Sequence, residues 1–478
     1  MKVLLIRPHV NLKIARSFQR FLNLEPLDLE IVAGGLPEDC DVSILDLSLY
    51  RNPKKVLQKT IHTDRPDLVG ITGYSNQSDS VREYARQIKQ IAPDTKVVVG
   101  GIHAIIMAAD YKCPGWIDVV VRGDGAGPFR QVADALLSGE PLAPTPWLLP
   151  VGAPEFDTLA AEPVPAWSGD DLPPRPRRDL IDSSKYFCIC PGSPEGGRVK
   201  TIFPEVVTVR TSIGCPYRCN FCVVRKLTGG KYIQRSPEDV VDEIAGLKQD
   251  YVYFVDDEMF INAERCKKIA ELLMERGIKK KYVSWARSDT ICAQVELFRL
   301  WKKAGLETLY VGIESLEEEN LDFYNKKVDS SVNLKAVNIL RELKIGLHAA
   351  LMVNPDFETE DFLKIRKAID ILSPAEITFT VFSPSPGTEL YEEHQGEYLF
   401  ENPCLYYDCM HTILPTKLPM KQFYRYFALL YLFAFQKNPW RANKVKAPIR
   451  DILRLIIGGA NCGWNLHNIY RAYDKSRW

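Results

Sequence analysis

The metal-binding signature of this chain is one short segment, Thr211-Ser212-Ile213-Gly214-Cys215-Pro216-Tyr217-Arg218-Cys219-Asn220-Phe221-Cys222. It follows an apolar, strand-like run at 206–209, and its cysteines have the spacing C-x3-C-x2-C. Thiolates are soft ligands that select zinc or iron–sulfur clusters over hard cations. Four thiolates close a structural zinc site, whereas three leave one coordination position open for a small molecule. The segment therefore predicts a metal centre with an open position.

Two alternative roles for the three cysteines fit the segment less well. Buried structural cysteines do not require three thiols within eight residues around a Gly-Cys-Pro turn. A zinc knuckle needs a fourth ligand nearby, and no Cys or His follows Cys222 in the sequence until Cys266. The spacing thus favours an iron–sulfur cluster.

Length and composition limit the class of protein. The 478 residues are enough for two or three domains. The 61 basic and 61 acidic residues give a formal net charge of zero, so no nucleic-acid partner is expected. The N-terminus does not resemble a signal peptide, and no apolar run is long enough to span a bilayer. Twelve cysteines in such a chain indicate a reducing, cytoplasmic compartment and metal chemistry rather than disulfides.

The N-terminal part alternates apolar strands with segments of helical spacing. This pattern predicts a doubly wound, Rossmann-like parallel sheet in a first domain at 1–140, where ligands bind at the carboxyl ends of the strands. The predicted strands are Val3–Ile6, Val42–Leu45, Leu68–Thr72, Val97–Gly100 and Val119–Val121.

Glycine-containing turns follow three successive strands of this predicted sheet. Glycines there allow the backbone to approach a large ligand closely, although tight turns alone would explain any one of them. Together they indicate a bound cofactor. The turns contain Thr72-Gly73-Tyr74-Ser75, Gly100-Gly101-Ile102-His103 and Gly123-Asp124-Gly125.

Residues 141–201 are rich in Pro, Gly and charge and are predicted to be a linker, in which Arg175, Arg177 and Arg178 are expected to be solvated. Alternation of strands and helices resumes in a domain at 202–400, and residues 401–478 are predicted to be a helical C-terminal region. The six strands predicted in this second domain are Val206–Val209, Val252–Val255, Val283–Trp285, Thr308–Gly312, Leu347–Met352 and Ile377–Phe382.

Polar side chains stand where most strands of the second domain end. For each of them the alternative is capping of the next helix. That alternative is weaker for Asp256, Asp257 and Glu258, because adjacent acids repel one another unless cations or hydrogen-bond donors meet them. The other candidates are Arg287 and the pair Glu314 and Ser315.

The cysteine segment resembles the radical SAM superfamily, whose fold is a partial α/β barrel, here (β/α)6. The resemblance implies a [4Fe–4S] cluster on Cys215, Cys219 and Cys222, with S-adenosylmethionine (SAM) on the fourth iron. It also implies that Phe221 packs beside the adenine. By the same resemblance the amino group of SAM meets Asp256 and Asp257, its carboxylate or ribose meets Arg287, and its ribose meets Glu314 and Ser315.

The first domain resembles the cobalamin-binding domain that precedes many radical SAM enzymes. The resemblance implies that ten residues cradle the nucleotide tail and one face of the corrin: Thr72, Gly73, Tyr74, Ser75, Gly100, Gly101, His103, Gly123, Asp124 and Gly125. Methionine synthase-type domains carry Asp-x-His-x-x-Gly, but here Arg7 replaces the Asp and Leu12 the Gly. Without an acid partner, His9 is expected to be a loop residue and not a cobalt ligand.

An aromatic-rich segment at 421–437 follows the second domain and is apolar on more than one face. One interpretation is a buried helix that closes the open end of the barrel. The other is a helix that lies on a membrane surface or lines an apolar substrate tunnel.

The resemblance as a whole implies a cobalamin-dependent radical SAM methyltransferase that acts on an unactivated carbon. Leu24-Glu25-Pro26-Leu27 and 382–388 make it most like the hopanoid C-3 methylase type. The implied partners are a small apolar substrate, an electron donor such as a flavodoxin or ferredoxin, and a peripheral membrane contact. Two alternatives remain open: a cobalamin-dependent radical SAM cyclase or rearrangement enzyme without methyl transfer, and a non-catalytic metal-binding scaffold or sensor.

Overall fold

A computed structural model describes residues 1–163, 172–189, 197–437 and 445–473. Parts of the predicted linker (164–171 and 190–196) and of the predicted C-terminal region (438–444 and 474–478) lie outside the described residues. The cysteines among the described residues are free thiols.

The strands are β1 (Lys2–Arg7), β2 (Leu22–Asn23), β3 (Asp41–Asp46), β4 (Leu68–Ile71), β5 (Lys96–Val99), β6 (Val119–Val121), β7 (Leu148–Pro150), β8 (Phe187–Cys188), β9 (Gly197–Arg198), β10 (Val206–Val209), β11 (Ser212–Ile213), β12 (Ile233–Gln234), β13 (Tyr251–Phe254), β14 (Lys281–Trp285), β15 (Leu306–Glu314), β16 (Gly346–Val353), β17 (Glu376–Val381) and β18 (Val445–Lys446). The helices are α1 (Lys13–Phe18), α2 (Leu27–Gly34), α3 (Pro53–Asp64), α4 (Ser78–Ile91), α5 (Ile102–Ile106), α6 (Ala126–Ser138), α7 (Phe156–Ala161), α8 (Val224–Leu227), α9 (Pro237–Gly246), α10 (Ala263–Glu275), α11 (Ser288–Ala293), α12 (Val295–Ala304), α13 (Glu318–Phe323), α14 (Ser330–Glu342), α15 (Thr359–Leu372), α16 (Glu389–Glu393), α17 (Met420–Lys437) and α18 (Ile449–His467).

The first sheet has the strand order β3-β1-β4-β5-β6-β7 and is parallel except for β7. Alternate side chains of β1 enter two separate cores, Leu4 and Ile6 on one face and Val3 and Leu5 on the other. Helices cover both faces, so each strand is a continuous apolar run, as expected for a doubly wound sheet. The predicted strands of the first domain are confirmed.

The sheet continues into the segment that was predicted to be a linker. Strand β7 pairs antiparallel with β6, and Leu148 and Leu149 are buried on opposite faces. Phe156 of α7 is also buried in the core. Prolines flank this strand because an edge strand tolerates a missing N–H donor. The first sheet therefore extends to Pro150, past the predicted boundary at 140.

The second sheet has the order β10-β13-β14-β15-β16-β17, and all five pairings are parallel. The six predicted strands of the partial barrel are confirmed. Helix α17 packs against α15 and α18 beside the open side of this barrel. Phe423, Tyr424 and Phe427 are fully buried, whereas Leu429 and Leu432 are exposed. The helix thus closes the barrel with one face only. Among the described helices, none has both the length and the apolar composition that crossing a bilayer requires.

The two sheets meet through their carboxyl ends. Val255, just after β13, packs on Ala126 and Ile31 of the first domain. Helix α5, which follows β5, lies against α8, which follows the cysteine segment. Gly387 packs on Ile106, where an added Cβ would lie 3.2 Å from that side chain. The turns predicted to bind cobalamin therefore face the strand ends predicted to bind the cluster and SAM.

A buried ion cluster holds the two sheets in this arrangement. The Arg178 guanidinium donates to Glu25 at 2.6 Å, to Glu243 of α9 at 2.7 Å and to the Thr208 carbonyl at 2.7 Å. Glu25 also accepts from the Thr208 N–H and hydroxyl, at 2.7 and 2.8 Å. Glu30 of α2 is fully buried beside it, and burial together with the charge of Glu25 raises its pKa to about 8. The sequence-based expectation that Arg178 is solvated is wrong.

We predict that Arg178→Ala lowers the free energy of unfolding by about 3 kcal/mol, because it leaves buried carboxylates without their cation. The control is Arg177→Ala, whose side chain is 46% exposed against 19% for Arg178 and pairs with the nearby Asp179. A surface pair of this kind contributes about 1 kcal/mol or less. Urea unfolding of the two variants measures the difference, and equal losses would contradict the role of Arg178.

Candidate cofactor-binding site

The cysteine segment leaves β10 and is folded back by a short hairpin of β11 and β12. Gly214 starts the loop with φ +90°, and an added Cβ would lie 2.1 Å from the Lys231 carbonyl oxygen. Its N–H donates to Asp257 at 2.9 Å. Only glycine fits this position, because both the backbone conformation and the close approach exclude a side chain.

Asp256 is buried and anchors the base of the same loop. Its carboxylate accepts from the Thr211 N–H and, at 2.7 Å, from the Thr211 hydroxyl, and it also accepts from the Ser212 hydroxyl. Burial raises its pKa, although these donors oppose that effect. The donors account for the tolerance of adjacent acids at this strand end. The geometry gives Asp256 a positioning role, while Asp257 is exposed at the loop.

Arg287 reaches the cysteine loop from the end of β14. It forms a bidentate pair with Asp289 at 2.9 and 3.0 Å and donates to the Lys326 carbonyl at 2.9 Å. Its Nη1 contacts the Cys219 Sγ at 3.7 Å, and its guanidinium lies 3.8 Å from the centre of the Tyr217 ring. Among the described residues these hydrogen bonds use four of its five N–H groups, which leaves one Nη1 donor beside the loop.

The three thiols supply a soft donor set on one loop, as a cluster requires. Burial raises the pKa of Cys215 to about 12 and that of Cys222 to about 11, and neighbouring acids and thiols add to this effect. A bound cation lowers the pKa of a thiol instead, so binding of a cluster would release the thiol protons. Within the described ranges, no three His, Cys, Asp or Glu side chains converge on a position for a single metal ion. The three cysteines remain predicted cluster ligands.

Glu314 lies at the end of β15 with φ +62°, an uncommon conformation for a residue with a side chain. Its carboxylate accepts from Lys326 Nζ at 2.9 Å, and the same ammonium donates to the Gly312 carbonyl. The pairing of β15 with β16 shifts register here. Ser315 accepts from the Glu317 N–H at 3.0 Å. Backbone strain of this kind is concentrated at functional sites, so both residues remain candidates for ribose binding.

Phe221 points to an aromatic cluster above the end of β16. Its ring lies edge-on to Tyr324, with ring centres 5.9 Å apart, and it packs with Met352 and Phe382. Tyr324 donates to Asn354 at 2.7 Å. The cluster offers the apolar side of a pocket beside the cysteine loop.

Glu258 is a candidate that the sequence reasoning left unassigned. It is buried, and one carboxylate oxygen accepts from the Arg287 N–H at 2.9 Å. Its other oxygen, Oε1, has no hydrogen-bond partner within the described part of the chain. Burial raises its pKa to about 8. The sequence signal was its place in the acidic strand end, where helix capping is the weaker explanation, but the resemblance assigned roles only to Asp256 and Asp257.

The glycine turns of the first domain serve two different purposes. Added Cβ atoms at Gly73, Gly101 and Gly123 would meet protein atoms within 3 Å, the last of them against Trp147. Tight packing within the protein therefore requires these three. Gly100 and Gly125 have contacts no closer than 3.6 Å, and Gly125 has φ +81°. A Cβ would fit at these two positions in ordinary contact with Val121 and Val32, so close packing does not account for glycine there and both remain candidates for cofactor binding.

The other predicted cobalamin-binding residues differ in exposure. Tyr74 presents an exposed ring between the two sheets' facing edges, and Thr72 donates to Asp28 at 2.9 Å. Asp124 is half-buried before α6. Ser75 and His103 are buried, and His103 Nε2 lies 3.0 Å from Asp110. A ligand at this edge could therefore reach the side chains of Tyr74 and Asp124 but only the backbone around His103.

His9 pairs with Tyr84, with 2.8 Å between Nδ1 and the hydroxyl. Burial and the nearby cations Arg16 and Lys54 lower its pKa. The prediction that it is a loop residue remains consistent with this geometry.

A cavity of about 1290 Å³ occupies the interior of the barrel. Tyr253, Trp285, Tyr310, His348 and Thr378 line it from successive strands, and α17 and α18 form its outer wall. Its volume exceeds the usual range of roughly 300–1,000 Å³ for small-molecule pockets. One of its lining residues, Trp285, ends β14 two residues before Arg287, whose side chain contacts the cysteine loop.

Comparison with known proteins agrees with this architecture. A family model for the radical SAM superfamily matches residues 209–369, and a B12 binding domain model matches 20–133. Hopanoid C-3 methylase from Methylococcus capsulatus is 29% identical over 92% of this chain and 81% of its own. An uncharacterized methyltransferase from Pyrococcus horikoshii is 30% identical over 82% of this chain and 83% of its own.

Two further comparisons are relevant. An anaerobic magnesium-protoporphyrin IX monomethyl ester cyclase from Cereibacter sphaeroides is 28% identical over 72% of this chain and 55% of its own. Among solved structures, the radical S-adenosylmethionine methyltransferase TsrM from Kitasatospora setae, with cobalamin and a [4Fe–4S] cluster bound, has a TM-score of 0.64 at 18% identity. It covers 98% of this chain and 99% of its own, which confirms the two-domain fold.

We predict that Gly214→Ala removes the cluster, because the added Cβ cannot coexist with the Lys231 carbonyl and the loop must open. The control is Gly396→Ala, which has nearly the same φ of +92° but no atom within 4 Å of the added Cβ. Iron and sulfide content after anaerobic reconstitution is the measurement. Normal iron and sulfide in the Gly214 variant would show that the loop tolerates the displacement.

We predict that His9→Ala leaves bound cobalamin spectroscopically unchanged, because His9 bonds Tyr84 and lacks the acid partner of a cobalt-binding imidazole. The electron paramagnetic resonance spectrum of the reduced cobalt should show no nitrogen coupling in either protein. A nitrogen coupling that the variant loses would identify His9 as a ligand.

Proposed function

This chain belongs to the cobalamin-binding branch of the radical SAM superfamily, and we propose on that premise that it methylates an unactivated carbon of an apolar, hopanoid-like lipid. One observation carries the substrate class. The cavity inside the barrel is large and walled mainly by aromatic and aliphatic side chains, and one of them, Trp285, ends β14 two residues before Arg287. Apolar ligands bind in such cavities because water is displaced from apolar surface.

The family cofactors fit the facing edges of the two sheets. When bound, the [4Fe–4S] cluster with SAM supplies a 5′-deoxyadenosyl radical, and cobalamin supplies a methyl group. Cys215, Cys219 and Cys222 would hold the cluster through thiolates. Tyr74 and Gly125 would bound the corrin, since one offers an exposed ring and the other an open backbone.

The residues around the cysteine loop would bind and orient SAM. The remaining Nη1 donor of Arg287 suits its carboxylate, because a guanidinium and a carboxylate form charge-assisted hydrogen bonds. Asp257 suits its amino group, since the buried Asp256 is already occupied by the loop. Glu314 lies where the resemblance expects the ribose, and Phe221 where it expects the adenine. No side chain in this scheme needs to act as a strong acid or base.

The barrel interior would hold the substrate and exclude water from the radical. The tilted rings of Trp285 and Tyr310 pack with centres 3.8 Å apart, and those of Tyr310 and His348 pack with centres 4.5 Å apart. His348 bonds Thr378 at 2.7 Å and Glu376 at 3.0 Å, so its polar atoms are satisfied within the wall. Such a wall positions an apolar molecule by shape rather than by charge.

The remaining partners and the location are also proposals. A flavodoxin or ferredoxin would supply the electron for SAM cleavage, and thiol-rich iron chemistry suits a reducing cytoplasm. A peripheral membrane contact would bring the enzyme to a lipid substrate.

A ring closure without methyl transfer is the second candidate, because a relative at 28% identity is named as a cyclase. The products separate the two functions. Methylation yields S-adenosylhomocysteine together with 5′-deoxyadenosine, whereas ring closure yields 5′-deoxyadenosine alone. Family membership argues against a non-catalytic scaffold.

We predict that the protein, reconstituted anaerobically with iron, sulfide and cobalamin and supplied with electrons by a reduced flavodoxin, transfers a labelled methyl group from SAM to a component of a lipid extract. Mass spectrometry of the extract and quantification of both nucleoside products are the measurements. Cys219→Ala should abolish cluster absorbance and SAM cleavage, while the matched variant Cys113→Ala, outside the site, should retain both. Formation of 5′-deoxyadenosine without labelled lipid would reject lipid methylation.

A further inference from the structure

We propose that the outer face of α18, with the adjoining edge of α17, docks on a phospholipid bilayer and opens the barrel cavity toward it. The inference rests on the proposed function, since it states that the apolar substrate enters the cavity from the bilayer. We call this surface the docking face. It consists of Leu429 and Leu432 on α17 and of Ile449, Ile452, Leu453, Ile456, Ile457 and Trp464 on α18.

The docking face is one continuous apolar stripe. Its members on α18 recur at spacings of three and four residues, which places them on the same side of a helix. All of them are exposed, while Asp451, Cys462 and Leu466 on the opposite side are buried. A contiguous exposed apolar patch of this kind marks an interaction site in a water-soluble fold.

The charges around the docking face favour an anionic lipid surface. The charged side chains that α18 exposes are Arg450 and Arg454. Its acid, Asp451, is buried and accepts from the Thr201 hydroxyl at 2.7 Å and from the Ile202 N–H at 3.0 Å. Helix α1 packs against α18 and adds the exposed basic residues Lys13 and Arg16, and Arg20 follows in the turn after α1.

An apolar helix face flanked by arginines is typical of helices that lie in the plane of a membrane interface. The basic flanks would attract anionic headgroups, and at physiological salt the attraction would decay over a screening length of about 8 Å from the surface.

The docking face is continuous with the cavity. Leu429, Leu432 and Ile456 belong to both, and Gly459 and Gly463 of α18 complete the cavity wall between them. A molecule apolar enough to fill this cavity dissolves in a bilayer rather than in water. The geometry therefore favours a lipid surface over a protein partner, because a bound protein would cover the side from which α17 and α18 give access to the cavity.

The test uses the full chain and vesicles of phosphatidylcholine with phosphatidylglycerol, separated by density flotation. Leu453→Glu and Ile457→Glu change the docking face at residues that do not line the cavity, with exposures of 52% and 60%. The control is Leu137→Glu on α6 of the first domain, where the leucine is 45% exposed. We expect the two variants to bind vesicles about tenfold more weakly, since each loses an apolar contact and gains a charge like that of the lipid. The control should float like the unchanged protein.

Three results would overturn the docking face. The first is that the unchanged protein does not float with vesicles, and the second is that Leu137→Glu weakens flotation as much as Leu453→Glu does. The third is that light scattering shows the variants to dissociate a dimer, which would assign the face to a second copy of the chain. Flotation needs no turnover, so its failure leaves methyl transfer to a detergent-dispersed lipid as a separate test of the proposed function.

Discussion

The arrangement of the two sheets depends on the ion pairs and hydrogen bonds that the Arg178 guanidinium makes. It joins Glu25 of the first domain to Glu243 and the Thr208 carbonyl of the barrel. Buried charges are costly unless they are paired and hydrogen-bonded, so this cluster tolerates little displacement. It thereby helps to fix the position of the first sheet's carboxyl edge relative to that of the second. These edges must face each other if cobalamin and SAM are to act on one substrate.

In the cysteine loop, the buried carboxylate of Asp256 fixes the backbone that carries the exposed carboxylate of Asp257. Asp256 is used by the loop's own hydroxyl and N–H groups, and Gly214 lets the loop turn against Lys231. Asp257 and the last donor of Arg287 are then left at the loop surface, beside Cys219. The two neighbouring aspartates thus differ in burial and in hydrogen-bond partners, although the sequence analysis assigned them the same role.

The barrel cavity reaches the protein surface. Its wall extends from Trp285 at the end of β14 to Ile456, which is exposed. Helix α17 buries one aromatic face, as expected of a helix that closes the barrel, and exposes one aliphatic edge. Leu429 and Leu432 on that edge also line the cavity, so the cavity wall is continuous with exposed apolar side chains of α17 and α18.

The sequence alone determined the element types and the two sheets, because strand and helix periods are local and the strands are buried runs of apolar residues. It also located the cysteines and the polar residues at the strand ends, since the spacing of a motif can be read without knowing which residues are in contact. It missed β7, because Pro-rich composition hides an edge strand, and it misjudged Arg178, because burial depends on what packs against a residue. Which of Asp256 and Asp257 is buried at the base of the loop, which glycines serve packing, and the cavity with its exposed rim were decided only by the tertiary structure. Each of these depends on contacts between residues far apart in the chain, and no local pattern encodes such contacts.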